Sequence, residues 1–273
     1  MMQQTSDSLP PAIDFARLCR GDEPGLKAVI QRYGAFKVKN HGISVSARNE
    51  CFSFCKSFFG QPDDLKTTDP AFLRFKGEKV KSTHIPKESL YVSKDKLCDY
   101  PPVQTLYKEI DKITPGLLQA LSRTLALDPS LESFHNDKID QLALHHYPDI
   151  PGASERNPAH RDWDLLTILI YEDTRSSNGL EVAELPATDN AEFTPVDPGP
   201  DEITILLGST LPKLSKLHGW GGIRSCLHRV SGTGERYSIG CFINVDDDTR
   251  LNEEGTTARS HREMWETKSK VKD

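Results

Sequence analysis

The feature that most constrains the fold is a change in sequence texture at Ile139. From there onward, short β-rich runs are separated by clusters of Pro, Gly and Asp. The runs cover residues 141–147, 165–171, 202–207, 225–230 and 236–245. Many short strands with turn residues between them are typical of an antiparallel barrel or a double-sheet jelly roll.

The first half of the chain has helical periodicity instead. Apolar residues recur at spacings of three and four in residues 25–32, 46–59 and 103–127. Residues 35–39 alternate as a strand does and run into the turn Asn40-His41-Gly42, and residues 258–268 predict a helix that closes over the barrel. We therefore expect an α+β protein, in which a mostly helical region (1–135) packs on a jelly-roll core (136–250). A carboxy-terminal helix and tail (251–273) completes one compact catalytic unit.

Composition excludes several classes of function. A net charge of −6 and a pI near 5.9 disfavour a nucleic-acid partner, because neutralising phosphates takes clustered Lys and Arg. No apolar stretch approaches the length of a membrane span, and the start lacks the pattern of a signal peptide. The 6 cysteines are scattered without CxxC pairs and are interpreted as reduced thiols. These features predict a cytoplasmic protein without a membrane partner.

Three residues have the chemistry of a metal site. His160 and Asp162 precede the apolar run 165–171, at an expected strand entrance where residues two apart point to the same side. His228, in the run 225–230, is the candidate third ligand, since the two runs are able to lie side by side in a barrel. Two His and one carboxylate on one face of an octahedron leave open positions, which suits Fe(II) and O₂ chemistry.

A candidate anion site follows eight residues after His228. Arg236 and Ser238 occupy alternate positions of an expected strand and so face the same way. A guanidinium fork beside a hydroxyl suits one end of a dicarboxylate, because the fork donates two parallel charge-assisted hydrogen bonds. The ordered set His-x-Asp, His and Arg-x-Ser predicts a combined metal and dicarboxylate site.

Nearly the whole chain resembles the isopenicillin N synthase-like and plant-type Fe(II) 2-oxoglutarate-dependent oxygenases. The likeness is carried by Ala-Ile-Asp-Phe (12–15), Tyr-Gly-Ala-Phe-Lys-Val-Lys-Asn-His-Gly-Ile (33–43), the stretch 160–169, and the blocks 226–230 and 234–239. The resemblance implies a distorted double-stranded β-helix with flanking helices. It also implies iron at the open mouth, with 2-oxoglutarate reaching inward to Arg236 and Ser238.

The chain departs from this family at two places. Leu144-His145-His146-Tyr147-Pro148 stands where many relatives have Asn-Tyr-Tyr-Pro, so Tyr147 carries over as a co-substrate residue while His145 replaces the Asn. Strand alternation places His145 and Tyr147 on one face and His146 on the other. Trp163-Asp164 replaces a frequent Phe-Gly and puts a large ring near the expected substrate chamber. The candidate substrate residues are His145, Trp163, Tyr91 and Lys87, the last being suited to an acidic group.

The resemblance implies the following activity. We expect a dioxygenase that uses Fe(II), 2-oxoglutarate and O₂, with ascorbate as a further candidate cofactor, and that releases succinate and CO₂. The substrate would be a small molecule, such as an amino acid or a secondary-metabolite intermediate, that undergoes hydroxylation, desaturation or oxidative cyclisation. The alternative is a non-haem iron oxidase that does not use 2-oxoglutarate, and a catalytically silent ligand-binding barrel is less favoured. The oligomeric state stays open, with a monomer among the candidates.

Overall fold

The structure is a computed structural model that describes residues 9–75, 87–150, 155–172, 179–187 and 191–270. Capping residues set the start of some of its helices. In α3 the Ser44 hydroxyl accepts from the backbone N–H of Ala47, and Pro101 starts α5 at a position whose N–H needs no partner. The helices are α1 (Phe15–Arg20), α2 (Leu26–Tyr33), α3 (Val45–Phe59), α4 (Asp63–Lys66), α5 (Pro101–Leu125), α6 (Thr210–His218) and α7 (Ala258–Lys270).

Two sheets form the centre of the molecule. The eight-stranded sheet has the order β1-β2-β10-β7-β12-β5-β4-β3, and the four-stranded sheet has the order β6-β11-β8-β9. The strands are β1 (Ile13–Asp14), β2 (Ala35–Lys39), β3 (Phe72–Phe75), β4 (Lys87–Ser93), β5 (Gln141–Tyr147), β6 (Glu155–His160), β7 (Leu166–Tyr171), β8 (Leu180–Ala183), β9 (Phe193–Pro195), β10 (Glu202–Leu207), β11 (His228–Ser231) and β12 (Arg236–Ile243). Every pairing between these strands is antiparallel except that of β1 with β2.

The large sheet uses its two faces differently. Residues such as Leu144, Ile168 and Ile239 belong to an apolar core shared with the helices, which include α3 and α5. The alternate residues, among them Tyr147 and Tyr171, belong to a smaller cluster with residues of the small sheet. Because side chains alternate across a strand, the same strands seal the helical core and line the space between the sheets.

The α+β jelly-roll prediction is confirmed, and β5 and β10 begin and end where the sequence predicted. The region 1–135 is more than a helical layer, because β1 to β4 extend the large sheet at both edges. In the run 225–230, the strand starts only at His228, and the chain before it is irregular. Strands β1, β3, β4, β6, β8 and β9 were not predicted; they are short or interrupted by polar residues. Within the described part of the chain, no helix is long and apolar enough to cross a membrane.

Candidate active site

The register of the large sheet gathers polar residues on the face between the sheets. Arg236 of β12 pairs with Tyr147 of β5, and Ser238 pairs with His145 on one side and with Tyr171 of β7 on the other. In β4, Ser89 lies opposite His145. Since paired residues point to the same side of a sheet, these positions form one continuous wall, which also includes Lys87 and Tyr91. The sequence predicted that Arg236 faces the same way as Ser238, and His145 the same way as Tyr147.

The three candidate metal ligands meet at the rim between the sheets. His160 ends β6, and His228 begins β11 directly opposite it. Asp162 lies in the connection that takes the chain from β6 to β7 in the other sheet. The expectation that His160 and Asp162 converge by alternation along one strand was wrong. They converge because the chain leaves the small sheet at His160 and turns toward the large one.

Backbone hydrogen bonds fix this connection. The Asp162 carbonyl accepts from the N–H of Ser209 at 2.7 Å, and the Asp164 carbonyl accepts from that of Thr210 at 3.0 Å. Gly208 is needed beside them, because a Cβ there would lie 2.0 Å from Asp164 Oδ1. The Arg161 guanidinium donates to the Ser225 carbonyl and so ties the connection to the segment that enters β11. The carboxylate of Asp162 is thereby held against the two imidazoles.

The donor atoms are close enough for one ion to reach all of them. One ligand atom from each of His160, Asp162 and His228 lies within 4.8 Å of the others. Asp162 Oδ1 is 3.5 Å from His160 Nε2 and 3.7 Å from His228 Nε2. His160 Nδ1 lies 2.8 Å from the Pro158 carbonyl, so Nδ1 carries the proton and the Nε2 lone pair faces the cluster. Two imidazoles and one carboxylate are a donor set that fits Fe(II).

Protonation states in the cluster favour a cation. Burial and the neighbouring His228 lower the pKa of His160 to about 3, so this imidazole is neutral at physiological pH. Burial alone would raise the pKa of Asp162, but His228, His160 and the Thr167 hydroxyl outweigh it and hold the pKa below its ordinary value. His160 therefore offers a neutral imidazole and Asp162 an ionised carboxylate.

Thr167 connects Asp162 to a second buried acid. Its Oγ1 is 2.6 Å from Asp162 Oδ2 and 2.7 Å from Asp164 Oδ2, so the hydroxyl bridges the two carboxyl groups. Burial and the nearby Asp162 raise the pKa of Asp164 well above its ordinary value, which keeps Asp164 protonated beside an ionised Asp162. Thr167 and Asp164 thus orient the carboxylate from behind.

The guanidinium of Arg236 lies at the inner end of the space between the sheets. It is 4.8 Å from the centre of the Tyr147 ring, and the residue is only 9% exposed. Among the described residues, its Nε and Nη1 have no hydrogen-bond partner. Buried polar groups are normally satisfied, and an unpaired buried guanidinium is costly. The structure therefore leaves nitrogens of this guanidinium available to an anion such as a carboxylate.

Three of the four candidate substrate residues lie on the wall between these two ends. The His145 ring is 6.0 Å from that of Tyr91 and 6.2 Å from that of Tyr147, and Lys87 Nζ is 5.9 Å from the Tyr147 ring centre. Burial lowers the pKa of Lys87, but Tyr147, Tyr91 and Asp162 outweigh it, so the pKa is raised and the ammonium stays charged. Trp163, the fourth candidate, is half-buried, and its carbonyl accepts from the Thr210 hydroxyl.

The two histidines of β5 have separate environments. His145 Nδ1 lies 2.8 Å from the Ser89 hydroxyl, and burial, followed by the charges of Lys87 and Arg236, lowers its pKa well below the ordinary value. His146 points to the helical side, where it stacks on Tyr237 with ring centres 4.7 Å apart. His145 is therefore a neutral hydrogen-bonding residue of the chamber, whereas His146 is not part of it.

Comparison with known proteins agrees with this geometry. The model of the 2OG-Fe(II) oxygenase superfamily matches residues 138–245, which contain both sheets' site residues from β5 to β12. The chain is similar to this superfamily over its jelly-roll core. It is a non-haem Fe(II), 2-oxoglutarate-dependent dioxygenase, with Fe(II) as cofactor and with 2-oxoglutarate and O₂ as co-substrates.

Relatives of this oxygenase are distant in sequence. Flavanone 3-dioxygenase 2 of Oryza sativa subsp. japonica is 26% identical, over 87% of this chain and 74% of its own. A putative 2OG-Fe(II) oxygenase family protein from Caulobacter crescentus superposes with a TM-score of 0.77 at 20% identity, over 95% of this chain and 99% of its own. The dioxygenase for auxin oxidation in rice gives a TM-score of 0.72 at 20% identity, over 95% of each chain.

Sequence reasoning missed several residues of this oxygenase's site. Thr167 and Gly208 orient the metal half, and Ser89 holds His145. The hydroxyls of Tyr171 and Thr204 are buried near the co-substrate half. Each lies in or beside an apolar strand where a Thr, Ser or Tyr is an ordinary residue, so only the position of Thr167 soon after Asp162 gave a readable signal.

Proposed function

We propose that His160, Asp162 and His228 hold the Fe(II) of this dioxygenase, and that Arg236, Ser238 and Tyr147 hold 2-oxoglutarate. The observation that carries this proposal is one convergent donor set on the same space as a buried guanidinium whose Nε and Nη1 have no partner among the described residues. Iron, when bound, supplies the oxidative decarboxylation of 2-oxoglutarate to succinate and CO₂, coupled to oxidation of the substrate.

The residues of the chain bind and orient the co-substrate and exclude water from it. Arg236 receives the far carboxylate of 2-oxoglutarate. Ser238 lies two residues further along β12 and points to the same side of the sheet. Tyr147 packs against the guanidinium and restricts its direction. The apolar cluster between the sheets, which includes Tyr147 and Tyr171, packs beside this site and limits the access of water.

We propose a small molecule with an anionic group as the substrate. The support is the wall of the chamber, where the Lys87 ammonium lies close enough to Asp162 and His145 for their charges to interact. A carboxylate on the substrate suits this cation, and the neutral His145 and the Tyr91 hydroxyl are hydrogen-bonding groups for other polar atoms. Amino acids and acidic secondary-metabolite intermediates have this chemistry.

The first experiment measures succinate formed from 2-oxoglutarate by the purified protein with Fe(II) and O₂. We expect formation without substrate to be slow and to rise with one member of a panel of small organic acids and amino acids. Asp162→Ala is expected to abolish it. Succinate from Asp162→Ala at the wild-type rate would refute the metal assignment.

The substrate proposal has its own matched pair of variants. Lys87→Met should raise the KM for an acidic substrate, while Lys37→Met should not. Lys37 is an equally buried lysine of β2 that donates to the Asp197 carbonyl, away from the metal cluster. If the accelerating compounds carry no anionic group, or if Lys87→Met leaves their KM unchanged, an acidic substrate is refuted while the oxygenase assignment stands.

A further inference from the structure

A second buried arginine, Arg156, lies beside Arg236 at the inner end of the chamber. Arg156 belongs to β6 of the small sheet, whereas Arg236 belongs to β12 of the large one. Arg156 is 3% exposed. Its Nη2 donates to the carbonyl of Gly234, two residues before Arg236, and the charge of Arg236 contributes to lowering the pKa of Arg156. Two cations are therefore buried near the start of β12.

Several hydrogen-bonding groups around this pair of arginines have no partner among the described residues. Arg156 donates through Nη2 to the Gly234 carbonyl, but its Nε has no partner among the described residues. The same holds for Nε and Nη1 of Arg236, and for the hydroxyls of Tyr171 and Thr204. Tyr171 pairs with Ser238, two residues after Arg236, and Thr204 pairs with the residue two before Tyr171, so these groups lie on one face of adjacent strands. An anion would satisfy several of these atoms together.

We propose that Arg156 is a second guanidinium for the far carboxylate of 2-oxoglutarate. This carboxylate would lie between Arg156 and Arg236, with Tyr171 and Thr204 as additional donors. The inference rests on the proposed function, since it takes Arg236 as the co-substrate residue. Two neighbouring buried guanidinium groups repel each other, and an anion between them turns that repulsion into two charge-assisted contacts.

The carboxylate of Asp149 does not take the place of a bound anion. Asp149 is exposed to solvent, and its Oδ1 accepts from the Gly234 N–H at 3.0 Å. It therefore holds the turn that precedes β12, and solvent screens its charge. The anion-facing donors of Arg156 and Arg236 belong to different sheets, so a bound carboxylate would also join the two sheets.

The test compares two ligands that differ only at the far end. Anaerobic, Fe(II)-loaded protein is titrated by calorimetry with 2-oxoglutarate and with 2-oxopentanoate, which has the same length but no far carboxylate. In Arg156→Met we expect 2-oxoglutarate to bind roughly tenfold to a hundredfold more weakly, while 2-oxopentanoate is unaffected. The preference for the dicarboxylate therefore falls. Arg156→Lys, which keeps the charge but loses the fork, should fall between wild type and Arg156→Met.

Arg48→Met is the control for losing a buried guanidinium elsewhere. Arg48 is 4% exposed, has an unpaired Nε among the described residues, and pairs with Asp201 outside the chamber. It should keep the wild-type preference. A preference that is unchanged in Arg156→Met would overturn the inference and leave Arg156 as a strap for Gly234; if that variant does not fold, Arg156→Lys decides in the same way. A wild type that binds neither ligand would instead refute the proposed function.

Discussion

Replacing Arg236 with Met should weaken the binding of 2-oxoglutarate without lowering the stability of the folded protein. The guanidinium is buried, and its Nε and Nη1 are unpaired among the described residues, so the ligand-free protein carries an unfavourable group. Methionine fills a similar volume against Tyr147 with no polar atom left to satisfy. We therefore expect the ligand-free variant to unfold at a temperature no lower than that of the wild type.

The ligand-bound protein should respond in the opposite way. A hydrogen bond to a charged group contributes about 1.5–3 kcal/mol, so loss of the fork should weaken 2-oxoglutarate about a hundredfold. Ligand at a hundred times the wild-type Kd stabilises the wild type by about 2.7 kcal/mol, but a variant that binds a hundredfold more weakly by only about 0.4 kcal/mol. At about 2–4 °C per kcal/mol, the shift in melting temperature falls from about 5–10 °C to about 1 °C.

Thermal unfolding of the Fe(II)-loaded protein, with and without 2-oxoglutarate under anaerobic conditions, measures both quantities. Arg48→Met serves again as the control and should keep the full ligand-induced shift, because Arg48 lies outside the chamber. The reasoning is refuted if Arg236→Met keeps that shift. It is equally refuted if the ligand-free variant melts far below the wild type, since Arg236 would then have a structural partner.

Three further predictions concern the rest of the site. Asp162→Ala should lose iron, as measured by metal content after anaerobic loading and desalting, whereas the exposed Asp137→Ala should keep it. Thr167→Val should lower the affinity for iron about tenfold to a hundredfold in a chelator competition, whereas Thr167→Ser should not, because the hydroxyl that orients Asp162 is kept. His145 is buried with a pKa far below its unfolded value of about 6.5, so it binds a proton on unfolding. Its contribution to the free energy of unfolding is complete above about pH 6.5 and is lost as the pH falls below that value, by up to about 1.4 kcal/mol per pH unit. Urea unfolding at several pH values should therefore show that His145→Gln loses less stability in acid than the wild type. An equal loss of stability would contradict a neutral His145.

The sequence indicated which residues come together better than it indicated the backbone geometry that brings them together. Alternation correctly placed Arg236 with Ser238, because both lie within the continuous strand β12. The same rule gave the right neighbours for His160 and Asp162 but the wrong reason, since a strand ends between them and the chain changes sheets. Strand ends depend on which partner is available for hydrogen bonding, and that partner is distant in sequence.

Residues that act through burial were the hardest to find. Arg156 stands in a polar stretch, Ser-Glu-Arg-Asn, that is typical of an exposed loop, yet the structure buries it almost completely. Tyr171 and Thr204 lie in apolar strands, where a hydroxyl does not distinguish a ligand-facing residue from a packing one. Strand pairing within the large sheet places Tyr171 and Thr204 on one face, and only the packing of the small sheet brings Arg156 to the same space.

The two halves of the site are held by different means, and this follows from where each lies. The co-substrate half stands on neighbouring strands of one sheet, so register alone sets the spacing between Arg236 and Tyr147. The metal half lies where the chain passes between sheets, and its geometry depends on contacts from outside the strands, including Thr167 behind Asp162 and the missing side chain of Gly208. Ladder hydrogen bonds tolerate exchanges of side chains, whereas a connection held by single contacts does not. Changes around Asp162 should therefore affect iron more sharply than changes of similar size along β12 affect 2-oxoglutarate, apart from those at the guanidinium itself.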